Sequence, residues 1–169
     1  LSLAEFQILS DWYFLAIKNL ISCDGFQENT DWIRKKLRNK VTNSQVEHAL
    51  TTLEKCGVIQ RLPNGKLSVV QQPWRTDPKA VSSAIRRHHA GMIHLALEAL
   101  EEQRPEDRQY MGLSLKFSPK KMEAAKKKLA DFLESFNQEF FDESSQEIFQ
   151  LNLQLFSLTT PNPTKEPLQ

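Results

Sequence analysis

The chain has 169 residues, 40% hydrophobic and 25% charged, and a formal net charge of +1. That balance is ordinary for a globular protein and excludes a wholly basic nucleic-acid binder. No apolar run is long enough to span a bilayer, no signal peptide is visible, and two distant cysteines, Cys23 and Cys56, exclude a disulfide framework. A cytoplasmic protein with no membrane partner is expected. The chain begins at Leu1, not Met, which reads as a fragment of something longer.

"LAEFQILSDWYFLAIKNLISC" spaces Phe6, Leu9, Tyr13, Ala16, Ile17 and Leu20 as one helix, with Ile8, Trp12 and Leu15 widening its stripe. Asp24-Gly25 stops it. "ENTDWIRKKLRNK" is a shorter helix, capped by Asn29 or Thr30, with Ile33 and Leu37 inward and Arg34, Lys35 and Arg38 outward. A third helix opens at Thr42, which has capping-box spacing to Gln45. Val46, Ala49, Leu50 and Leu53 form its buried face, and Gly57 suits its C-cap. "VIQRL" and "KLSVV" flank "PNG", which predicts a hairpin with a type I′ turn at Asn64-Gly65. Three helices and a hairpin, residues 1–72, give the winged helix-turn-helix order.

Gln71 to Pro78 reads as a linker. The second half, residues 73–160, reads helix–strand–helix–strand, so the whole chain is α+β. Its first helix, about Lys79 to Gln103, places Val81, Ile85, His88, Met92, Leu95 and Ala99 on one seam. "QYMGLSLKF" alternates as a strand. Ser118-Pro119 starts a helix reaching about Phe141, with Met122, Leu129, Phe132, Leu133, Phe136 and Phe140 expected inside. "EIFQLNLQLFSL" is a second alternating strand, and residues 161–169 read as a disordered tail. Two strands make a poor sheet alone. A homodimer, joined through residues 79–158 and the seam just named, is therefore expected.

On the third helix, Ser44, His48, Thr51, Thr52 and Lys55 are expected to turn outward, where a DNA-binding winged helix meets the major groove. Arg34, Lys35 and Arg38 suit phosphates, while Arg61, Asn64 and Lys66 belong to the wing. The bland alternative is a solvated polar face. Glu47 and Glu54 flank that surface, no arginine lies on the helix, and residues 1–72 hold nine basic against seven acidic residues. By itself this fragment is expected to bind duplex DNA weakly or not at all. His88, His89 and His94 share one helix without metal-ligand spacing, so neither metal nor cofactor is expected. Lys120, Lys121, Lys126, Lys127 and Lys128 read as a solubilising face. Phosphate loops, GxGxxG and nucleophile motifs are missing, which points away from an enzyme.

"LSDWYFLAIKNLI", "WIRKKL", "VEHALTTLEKCGVIQR", "RRHHAGMIHLALEAL" and "IFQLNLQLFSL", in this order, resemble an uncharacterised bacterial family of proposed transcriptional regulators. The likeness covers Leu1 to Thr160. It implies a winged-helix-like domain joined to a C-terminal α+β domain. It also implies that longer members carry an N-terminal helix-turn-helix segment absent here. "LFSL" stands where many members carry proline. The leading expectation is a non-enzymatic, transcription-regulator-like protein. Two alternatives are a protein-interaction module that has lost DNA, and a small-ligand sensor lined by the phenylalanines of the last helix.

Overall fold

The opening helical stretch is two helices, not one. In the computed structural model, which describes residues 2–70 and 78–161, α1 (Leu3–Ser10) and α2 (Trp12–Ile21) meet at Asp11. Asp11 is extended (φ −95°, ψ 113°) and caps both helices. Its carboxylate pairs at 2.9 Å with Arg87, far along the chain. The continuous helix expected from spacing is thus corrected by a break with a long-range partner. α1 starts at a capping box between Ser2 and Glu5.

The next elements follow local signals. Asn29 Oδ1 accepts the Trp32 N–H at 2.9 Å and starts α3 (Thr30–Lys36). Thr42 and Gln45 complete both capping-box bonds, at 3.1 and 2.9 Å, and start α4 (Asn43–Lys55). Gly57, at φ 70°, follows its end. β1 (Ile59–Arg61) and β2 (Leu67–Val69) pair antiparallel, with Gln60 opposite Ser68. The turn between them is not type I′. Leu62 N–H donates to Lys66 O, Gly65 N–H donates to Leu62 O, and only Gly65 has positive φ, at 81°. This is a three-residue loop, a type I turn with glycine in the left-handed position. Pro63 explains it, because its fixed φ suits the first central position of a type I turn.

One core joins these elements. Phe14, Ile17 and Leu20 of α2, Ile33 of α3, Leu53 of α4 and Ile59 of β1 are all at most 2% exposed. Each such side chain contributes roughly 1.5–3 kcal/mol by leaving water. Thr52, expected outward, is buried. It stands three residues after Ala49 and shares that buried face.

α5 (Pro78–Glu102) packs on α1 and α2. Residues 71–77, most of the expected linker, lie outside the described residues, as do the side chain of Val81 and residues 162–169 of the expected tail. Of the predicted seam, Met92 is buried, His88, Leu95 and Ala99 are half-buried, and Ile85 is exposed. His88 Nδ1 is buried and has no hydrogen-bond partner among the described residues. Burial first, then the neighbouring His89, hold the His88 pKa below its usual value. Lys40 Nζ reaches Glu98 at 2.9 Å and Glu102 at 2.7 Å, tying the α3–α4 connection to α5. A Cβ added at Gly91 would meet Trp12 Cδ1 at 3.7 Å, an ordinary contact. Glycine inside a helix costs about 0.5–1 kcal/mol against alanine. Gly91→Ala is therefore expected to raise stability by that amount, read from a urea midpoint; a lowered midpoint would show a tighter fit than this.

The rest of the second half differs from expectation. Pro119–Lys121 form a 3-10 turn after Ser118 and lead into α6 (Met122–Phe140). Neither predicted strand joins a sheet: residues 108–118 and 147–157 run without turn, bend or ladder. Among the described residues no strand pairs with either of them, and a strand is defined by its partner. The apolar face of α6, expected inside, is open. Phe132 is 46% exposed and Phe140 62%, while Leu133 and Phe136 are exposed too. Met122 and Leu129 are only half-buried. Among the described helices and strands, α6 packs appreciably only on the turn that precedes it.

Candidate nucleic-acid interface

The exposed face of α4 carries Ser44, Glu47, His48, Thr51, Glu54 and Lys55. Capping at Thr42 fixes where that face begins, and the buried row Val46, Ala49 and Leu53 fixes which way it points. His48 is not a free reader. Its Nε2 lies 3.2 Å from Gln7 Oε1 of α1, and its ring meets Phe14 edge-on.

The predicted cations divide into two groups. Asp31 binds both Arg34 and Lys35, each at 2.8 Å. These bonds, Lys35 first and Arg34 second, hold the Asp31 carboxyl down to a pKa of about 2. Arg34 also donates to Asn39 Oδ1 at 2.8 Å. Arg61 forks onto Glu28 at 2.7 and 2.9 Å, donates to Gly65 O, and has Glu54 at 3.7 Å. The Arg61 hydrogen bond lowers the Glu28 pKa and raises that of Arg61. Three cations used in this way fix the hairpin and α3 rather than await a ligand. Asn64 Oδ1 likewise accepts the Lys66 N–H and shapes the loop.

Arg38, Lys55 and Lys66 are exposed, and among the described residues their side chains have no hydrogen-bond or ion-pair partner. They sit on the α3–α4 turn, the last turn of α4 and the hairpin tip. Arg38 and Asn39 both adopt left-handed backbone, at φ 55° and 57°. Asparagine tolerates that region; arginine does so at a cost of roughly 1–2 kcal/mol. Sequence spacing offers Asp31 as an i+3 and i+4 partner for Arg34 and Lys35, so those pairs were legible. Glu28 gives no such signal for Arg61.

Other candidates resolve simply. Among the described residues no group of three or more His, Cys, Asp or Glu is placed to hold a metal. The cleft beside Asp11 and Arg87 is lined from α1, α2, α4 and α5, with no phenylalanine of α6. Burial raises the pKa of both Cys23 and Cys56. No helix among the described residues is long and apolar enough to cross a membrane.

Among the described residues, helices with one small antiparallel sheet make the protein α+β. Residues 1–158 match the family described as a domain of unknown function, DUF4423, and the chain belongs to it. No curated protein and no solved structure matches the chain significantly.

Proposed function

We propose that the protein is a non-enzymatic, transcription-factor-like regulator of the cytoplasm. In it α2, α3, α4 and the β1–β2 hairpin act as a winged-helix unit on duplex DNA. α4 takes the groove position and the hairpin is the wing. Arg38 carries this reading. Its backbone conformation suits glycine, yet an exposed, unpaired arginine stands there. A guanidinium kept against that cost fits a phosphate, which it binds with two parallel hydrogen bonds. Lys55 and Lys66 supply two further phosphate contacts, and Ser44 and Thr51 face the bases. No arginine on α4 is present to read guanine with two bonds. Binding to arbitrary duplex is expected in roughly the micromolar-to-millimolar range near physiological salt.

Arg38→Gly separates the two properties of this residue. It is expected to raise stability by about 0.5–1 kcal/mol in urea denaturation. At the same time it is expected to weaken duplex binding about fivefold for each copy in contact, the counterion contribution of one phosphate near 0.15 M salt, and so roughly 25-fold where two copies bind together. Unchanged affinity in fluorescence anisotropy would remove Arg38 from the interface.

A second reading rests on the ion pairs. Arg34, Lys35 and Arg61 are neutralised by Asp31 and Glu28, which suits a winged unit that docks on protein instead. Failure of the unaltered protein to bind any duplex at low salt would favour it.

A further inference from the structure

We propose that the second half of the chain completes its fold by exchanging strands with a second copy, so that residues 108–118 and 147–157 of two chains build one intermolecular sheet covered by the two α6 helices. Such a dimer is independent of any contact with DNA. Of the 21 large apolar residues that the described chain exposes, 19 lie between Ile85 and Leu158. The exposure is therefore a property of this half, not a scatter over the surface.

Its pattern is that of strands awaiting partners. Met111, Leu113 and Leu115 alternate in one segment, and Phe149, Leu151 and Leu153 in the other, all exposed. Backbone N–H and C=O groups beside such side chains need a ladder once water is excluded. Both segments begin on a fixed frame. Tyr110 Oη donates to Ala96 O and Arg108 Nε to Gln103 O, on and just beyond α5. Asp24 N–H donates to Ser145 O at 3.2 Å, Ile148 packs against the core, and Asn152 Nδ2 donates to Met92 O at 3.4 Å.

Area sets the size of the missing partner. The chain exposes 13569 Å². A compact monomer of 19.5 kDa exposes about 8,500 Å². Were the sixteen residues outside the described set all fully solvated, they would supply at most about 2,600 Å². About 2,500 Å² per chain remains, as much as each protomer buries in a large obligate dimer.

A second copy fits that need better than any other occupant. Paired only with each other, the two segments would make a two-stranded sheet, which is marginal. Two copies bring four strands and two covering helices, and every element one chain lacks is present in the other. Residues 109–158 hold six lysines against seven acidic residues, so the two copies meet with almost no net repulsion. A two-fold axis makes the contact self-complementary, so association through it closes at two copies.

Two measurements on the unaltered full chain test this. Sedimentation equilibrium at tens of micromolar is expected to give twice 19.5 kDa. Hydrogen exchange in the same sample is expected to show protected amides in both segments. Dilution to monomer should abolish that protection while leaving the amides of α2 and α4 protected. A monomer at tens of micromolar overturns the proposal, whether its segments are protected by pairing within one chain or exchange freely. A dimer whose two segments exchange like an unfolded chain overturns it as well.

Discussion

Phe14→Ala is expected to cost about 3–5 kcal/mol of stability, the range for removing a fully buried aromatic ring. Phe14 is 0% exposed, stacks on Tyr13 at 4.9 Å and meets His48 edge-on at 6.0 Å. The ring belongs to α2 at the centre of the only extensive core among the described residues. Within one chain no second core shares the loss: among the described residues beyond the first seventy, only Ala84 and Met92 are buried apolar residues. Domains of this size hold roughly 5–15 kcal/mol in total, so most of the folded population is at risk. Urea denaturation at one fixed protein concentration measures the loss, since association also contributes to stability. A loss below about 1 kcal/mol would mean that the site collapses around the missing ring.

Duplex binding is expected to fall about a thousandfold between roughly 50 and 200 mM salt, with a log–log slope near −5. The number follows from Arg38, Lys55 and Lys66, the three candidate cations with free side chains. Two copies offer six of them, and each phosphate contact contributes about −0.9 to the slope. A single copy would give a slope near −3 and a fall of only about fortyfold. A slope near −10 would mean that Arg34, Lys35 and Arg61 leave their carboxylates to join the contact. Fluorescence anisotropy across a salt series reads these outcomes apart.

Local chemistry made the first half readable. Thr42 with Gln45, Asn29, and Gly57 each act through backbone groups within a few residues, so their signals survive in sequence. The break at Asp11 was not readable, because its ion-pair partner Arg87 arrives from α5. The turn type differs for another reason: Asn64-Gly65 alone favours type I′, but the fixed φ of Pro63 suits a type I turn and sets a three-residue loop. Periodicity placed the apolar face of α6 correctly but is silent on what covers it, so Phe132 and Phe136 were expected inside and lie outside. At the candidate interface, residue type and spacing located the cations. Which of them are already engaged depends on Glu28 meeting Arg61 across the fold, a contact between separated segments.

In the proposed function, DNA touches the α4 face, the α3–α4 turn and the hairpin tip. An amide-resolved NMR titration with an arbitrary short duplex at low salt reads that contact residue by residue. Shifts are predicted at Arg38, through Ser44, Thr51 and Lys55, and at Lys66, with the buried row of α2 unmoved. Shifts confined to Lys126, Lys127 and Lys128 of α6, or none at millimolar duplex, would contradict it.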